Sequence, residues 1–146
     1  FQAMGKKLFY CGKNGNGGIV KVMNNLLAGI TALATAEALI LGVKAGVDLK
    51  VLNDAINASS GQNWGLQNYF PMKVFKGDFE PGFAAALMYK DLGLAMNLAK
   101  EEGVPLLIGG LVHQIFSQVV ASGLGHKDLQ IAIKVLEDMT NVKLRL

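Results

Sequence analysis

The stretch GNGGIVKVMNN, residues 15–25, sets three glycines ahead of an apolar run that carries one lysine and then two adjacent amides. A phosphate cradle of the nucleotide-triphosphatase type needs Gly directly before its Lys and Ser or Thr directly after it. Here Val20 precedes Lys21 and Val22 follows it. The dinucleotide fingerprint fails as well, because Val20 occupies the place of its third glycine and no parallel strand follows. The glycines therefore turn the chain sharply into a helix and allow another backbone to come close. Residues 17–44 are expected to form that helix, rich in Ala and Leu, with Gly46 ending it.

Lys21 and Asn25 stand four residues apart, so their side chains meet on one face of this helix. The rest of the helix is apolar, and low-dielectric surroundings disfavour an ammonium ion. An amine so placed can take a proton from an alcohol or return one to a developing alkoxide. The plainer alternative is a lysine that extends to solvent from the first turns of a helix, beside structurally bonded amides. These residues alone leave both open.

Working outward, Leu8–Cys11 is expected to be a short strand closed by Gly12, with the end of a helix before it. One strand makes no sheet, so residues 1–14 are expected to be the remnant of an upstream domain. Downstream everything reads helical. Asp48 caps a second helix carrying Leu49, Leu52 and Ile56. Asn63–Phe70 is a third, short helix stopped by Pro71. KGDFEPGF, residues 76–83, is a loop dense in turn residues. Ala84–Glu102 is a helix broken by Gly103, and Pro105 opens another that runs to Ser122. The last covers Asp128–Asp138, and the tail TNVKLRL has no assigned state. The expected fold is all-α, a bundle around one long central helix, over residues 15–146, with the remnant strand at its N-terminus.

Composition bounds the function. The chain has 146 residues, 51% of them hydrophobic and 17% charged, with a net charge of +3. That apolar excess implies either that much surface docks onto something or that a membrane is involved. Leu26–Val43 is long enough to raise a membrane span, but Glu37 inside it would be costly at a bilayer centre, so a buried core helix is expected. The basic residues are scattered lysines with Arg145 as the one arginine, which disfavours a nucleic-acid binder. Cys11 alone forms no internal disulfide, which fits a reducing compartment. His113 and His126 with it make no metal-ligand spacing. A packing role is expected for Trp64, Phe70 and His113. Met23, Met72, Met88, Met96 and Met139 are expected to fill gaps or sit at an interface, and Cys11 is expected to be buried and inert.

GNGGIVKVMNN also resembles the G-x-G-x-x-x-K-x-x-N-N signature of the β-hydroxyacid dehydrogenases, nearest to their 3-hydroxyisobutyrate dehydrogenase branch. TAEAL from Thr35, SSGQNW from Ser59, PGFAAALMYKDLGLA from Pro81 and GGLVHQIF from Gly109 agree in the same order. The resemblance covers nearly the whole chain as the helical C-terminal domain of that family, with a Rossmann domain expected upstream. It implies Lys21 as general acid/base and Asn25 as its assistant and a substrate contact. It also implies Phe83 lining the same cleft, Lys90 near the nicotinamide end of the cofactor, and Asp91 beside it. Ser59–Gly61 would border the site's mouth.

The implied reaction passes a hydride between a short 3-hydroxy acid and its semialdehyde, with NAD or NADP as cofactor bound mainly by the upstream domain. A reductase of other short semialdehydes or of glyoxylate is the alternative within the family. A non-catalytic helical dimerisation module is the alternative outside it. The isolated chain is expected to show no turnover and to pair as a homodimer or tetramer. The expected compartment is the cytoplasm, or the mitochondrial matrix in a eukaryote.

Overall fold

The computed structural model describes residues 7–146. Five α-helices and one π-helix follow in chain order: α1 (Asn16–Lys44), α2 (Leu49–Asn57), the π-helix (Gly65–Val74), α3 (Ala85–Glu102), α4 (Leu107–Ala121) and α5 (Ile131–Thr140). The bundle expected for residues 15–146 is what forms. α1 packs against every other helix and so forms its axis.

Gly15 enters α1 at φ 96°, a conformation that favours glycine over any L side chain. Asn16 steadies the turn by donating its side-chain amide to the Cys11 carbonyl at 2.7 Å. At the far end, Gly46 at φ 98° lets the chain reverse. Asp48 then caps α2, its carboxylate accepting from the Val51 N–H at 3.0 Å.

The apolar positions of α1 serve two cores in succession. Ala32 and Leu33 join Met88 and Leu92 of α3 and Val112 and Phe116 of α4. Ala36, Leu39 and Ile40 join Leu66, Phe70 and Val74 of the π-helix, Leu49 of α2 and Ile133 of α5. α1 is long and apolar enough to cross a membrane by length and composition. Its stretch from Ala32 to Ile40 supplies the buried centre of the bundle, while Leu27, Leu41 and Glu37 lie on exposed faces.

The structure corrects several sequence expectations. Leu8–Cys11 forms no strand, because no strand edge exists among the described residues to supply its hydrogen bonds. Phe9 and Tyr10 stand almost fully exposed there. The proposed helix end before Gly5 lies outside the described residues.

Pro71 does not stop the third helix. It sits inside a π-helix, the wider i→i+5 form; the same spacing carries on past its last residue in Phe75 N–H to Phe70 O at 2.9 Å and Asp78 N–H to Lys73 O at 3.0 Å. α4 begins two residues beyond Pro105, and α5 begins after a turn at residues 128–130.

The tail has no regular structure, yet Val142 and Leu144 are buried in the second core. The buried Glu137 carboxylate locks it there by accepting two bonds from the Arg145 guanidinium, at 2.7 and 2.9 Å.

Candidate active site

Lys21 and Asn25, one turn apart on α1, reach across to the same atom. Asp91 Oδ2 on α3 accepts from the Lys21 ammonium and, at 2.6 Å, from the Asn25 side-chain amide. Lys90 Nζ lies 3.0 Å from Oδ1 as an ion pair, without the alignment of a hydrogen bond. Asp91 is 1% exposed, whereas the Lys21 and Lys90 side chains are 50% and 59% exposed.

The register of α3 dictates this contrast. Met88, Asp91, Leu92 and Ala95 fall on its buried stripe, while Lys90 falls just off it. Burial pushes the Asp91 carboxyl up. The Lys21 ammonium, the Lys90 ammonium beside Oδ1 and the Asn25 amide together outweigh that push and hold it below the ordinary carboxylate range.

One expectation for Lys21 fails. Its amine is not desolvated in an apolar wall; it stands half in solvent against a buried carboxylate. α1 is apolar, but Lys21 sits in its second turn, ahead of the buried stretch that begins at Gly29. The charge that governs Lys21 comes from α3, seventy residues on, where no local pattern in α1 could announce it.

Asn25 also faces a cleft of about 570 Å³ between α1, the π-helix and the starts of α3 and α5. Asn24, Thr31, Asn63, Trp64, Tyr69, Phe83 and Gln130 are among its walls. Lys21, Lys90 and Asp91 are not, so Asn25 is the side chain that joins the charged cluster to the cleft. The cleft-lining residues carry no formal charge at neutral pH.

Phe83 reaches the cleft because a buried carboxylate shapes its turn. Asp128 Oδ2 accepts from the Gly82 and Phe83 N–H groups at 3.0 and 3.1 Å, and Oδ1 accepts from Gln130 N–H at 3.0 Å. Asp128 thus ties the loop before α3 to the turn before α5. The opposite wall hangs on Asn63, which donates to Thr35 Oγ1 and accepts from Leu66 N–H, each at 3.0 Å. Tyr69 lies on that wall. Burial raises its phenol, the nearby Asp128 charge adds to the rise and Lys73 opposes it, so the hydroxyl keeps its proton.

The sequence-predicted residues therefore divide. Lys21, Asn25, Lys90 and Asp91 form one cluster, and Phe83 stands apart on the cleft wall. Sequence reading missed Gln130 and Asn63, and it assigned Trp64 to packing. Trp64 is 66% exposed at the cleft, tilted against Tyr69 with ring centroids 5.5 Å apart. Phe70 does pack, fully buried. His113 stacks on Tyr89 at 4.7 Å between centroids, a packing role as expected. Cys11 is half-buried rather than buried. Met88 fills the core, but Met72 and Met139 are exposed. No group of three metal-ligating side chains occurs among the described residues.

Comparison with known proteins shows the family. Residues 15–136 match the family model described as NAD-binding of NADP-dependent 3-hydroxyisobutyrate dehydrogenase. The chain belongs to this family. It is 42% identical over 139 residues to 2-(hydroxymethyl)glutarate dehydrogenase of Eubacterium barkeri, covering 95% of this chain and 46% of that protein. It is 38% identical over 141 residues to mitochondrial 3-hydroxyisobutyrate dehydrogenase of Homo sapiens, covering 92% of this chain and 42% of the relative.

Among solved structures, Mycobacterium tuberculosis 3-hydroxyisobutyrate dehydrogenase with L-serine superposes with a TM-score of 0.84 at 32% identity. That match covers 91% of this chain and 47% of the other. The chain spans less than half the length of the relatives it matches.

Proposed function

We propose that this chain is the proton-transfer half of an NAD(P)-dependent dehydrogenase that interconverts short 3-hydroxy acids and their semialdehydes. On this reading residues 1–14 end a nucleotide-binding domain and residues 15–146 are the helical catalytic, substrate and dimerisation domain. The observation that carries it is the shared oxygen of Asp91. One buried acceptor orients both an amine and a carboxamide, and the carboxamide opens on a cleft sized for a small organic acid.

The residues present fit a nicotinamide cofactor. Two half-exposed ammonium groups flank one buried carboxylate and leave donors free to face a polar ligand. Lys90 is the residue that would touch the nicotinamide end, with Asp91 holding it in place from below. When bound, the nicotinamide accepts or returns the hydride. In oxidation, neutral Lys21 takes the hydroxyl proton as the carbon–oxygen bond becomes a carbonyl. In reduction, the Lys21 ammonium gives that proton to the carbonyl oxygen. Asn25 fixes the reacting oxygen within reach of the amine, and Phe83 covers the substrate from the cleft wall.

Short semialdehydes other than that of 3-hydroxyisobutyrate, and glyoxylate, fit the same chemistry. The names of the relatives support hydroxy acids whose carbinol lies one carbon from a carboxylate. The lone cysteine fits a reducing compartment, the cytoplasm, with the mitochondrion as the eukaryotic counterpart suggested by the human relative's name.

Steady-state assays on the whole polypeptide, with NAD and NADP against a panel of short hydroxy acids and semialdehydes, test the proposal. Turnover of at least one 3-hydroxy acid is expected, and none from residues 1–146 alone. Failure across the panel would overturn it.

A further inference from the structure

A second buried carboxylate lies outside the charged cluster. Asp128 is fully buried, and no lysine, arginine or histidine pairs with it among the described residues. A buried charge without a counter-ion is costly unless hydrogen bonds replace its water. Three backbone N–H groups do so, those of Gly82 and Phe83 at Oδ2 and that of Gln130 at Oδ1. Both oxygens must accept. Asparagine cannot match this, since its NH2 would be set against a backbone donor. Asp128 thus grips two loops at the residues, Phe83 and Gln130, that carry side chains into the cleft wall.

We propose that Asp128 is a positioning residue for substrate binding: it holds Phe83 and Gln130 in place, so that its loss raises KM and leaves proton transfer intact. This rests on the dehydrogenase reading above and gives each buried carboxylate a separate task. Asp91 orients Lys21 and Asn25, whereas Asp128 bonds neither. Four backbone bonds join the same two loops, from the Asp128, Leu129, Ala85 and Ala86 N–H groups to the Phe79, Phe83, Lys127 and Gly125 carbonyls, at 2.8 to 3.0 Å. They keep the loops together without the Asp128 side chain. The Gly82 and Phe83 N–H groups, by contrast, have that side chain as their one acceptor among the described residues. Gln130 Oε1 is buried without a partner, so the backbone bond to Asp128 sets where this side chain stands.

The test uses whichever of 3-hydroxyisobutyrate and 2-(hydroxymethyl)glutarate the whole polypeptide oxidises faster. The matching acid without the hydroxyl, isobutyrate or 2-methylglutarate, serves as unreactive competitor. In Asp128→Asn, KM should rise about tenfold, the low end for stranding a buried donor. The competitor's Ki should rise in step. kcat should stay within about threefold of wild type, as when an interaction is lost equally from bound substrate and transition state. Partial unfolding would instead lower kcat through loss of active enzyme and leave KM unmoved. That result, or KM and Ki within about twofold of wild type, would overturn the proposal.

Gly82→Ala covers the case in which Asp128→Asn does not fold. A Cβ on Gly82 would lie 3.2 Å from Asp128 Oδ2, close enough to shift the carboxylate by a few tenths of an ångström while its charge stays in place. KM and Ki should rise several-fold in this variant with kcat held, and no rise in either would overturn the proposal. No turnover of either hydroxy acid by wild type would sink the dehydrogenase reading and this inference with it. Turnover with KM unmoved in both variants sinks this inference alone.

Discussion

Asp91 holds two oxygens against three groups of α1 and α3, and that economy makes it the most informative residue after Lys21. Replacing it with Asn keeps the shape and removes the charge, so that Lys21 and Lys90 face each other without a counter-ion. A reacting group displaced by about an ångström can lose roughly 10²-fold in rate. We expect a loss of that order in kcat for Asp91→Asn in the whole polypeptide, with Asn25→Ala a milder second case. Unchanged kcat would mean that the shared oxygen positions nothing.

The carboxyl makes its own pH prediction. A folded-state pKa held below its unfolded value stabilises the fold above the unfolded value, and that contribution is lost as pH falls through the folded one. The Lys21–Asp91–Asn25 arrangement should thus survive mild acid and dissolve only below the ordinary carboxylate range. Carbon-detected NMR titration of Asp91 checks this, and a midpoint above the ordinary range would contradict it. Lys21 and Asn25 were legible as a pair from their spacing on one helix. Their partner was named only through the family resemblance, since spacing within α1 says nothing of what α3 brings to it.

At the scale of elements, the tail and the π-helix depend on one ion pair. Arg145 caps the Val74 carbonyl at 2.9 Å and neutralises Glu137, which is 3% exposed. Removing one partner of a buried pair strands the other charge, at a cost of about 3–5 kcal/mol. Arg145→Ala should lower unfolding stability by about 3 kcal/mol in urea, the low end because the guanidinium is one-third exposed. A change under about 0.5 kcal/mol would show that the tail contributes little.

Gly109 sits where α4 crosses α1, and a Cβ there would lie 2.9 Å from Leu26 Cδ1. Gly109→Leu should push the helices apart and cost about 1–3 kcal/mol by overpacking; a denaturation midpoint equal to wild type would contradict that crossing. Helix order was readable because caps and glycine stops punctuate it. The π-helix was not, because proline is a strong local stop signal. A wider ring of hydrogen bonds that tolerates proline is a product of packing against α1 and α2, which no window of sequence contains.

For the whole molecule, the surface says what the core cannot. Leu27, Leu107, Ile108 and Leu111 are each more than 60% exposed, on the α1 and α4 faces. Apolar surface of this kind favours association. We expect residues 1–146 to sediment as a dimer or larger at tens of micromolar, and Leu107→Glu with Leu111→Glu to shift that equilibrium toward monomer. A stable monomer at high concentration would count against pairing through these faces. The all-α bundle around one central helix was legible from the Ala- and Leu-rich helical runs and the caps and glycine stops between them. The expected strand was not realised, because its backbone finds no edge to pair with among the described residues.

Proton transfer by Lys21 is the step on which the proposed reaction turns. Its most direct test is Lys21→Met in the whole polypeptide, which keeps the side-chain length and removes the amine. kcat for hydroxy-acid oxidation should fall about 10²–10⁴-fold, the range for loss of a general base, with the fold intact by circular dichroism. Oxidation that continues at the wild-type rate would contradict it.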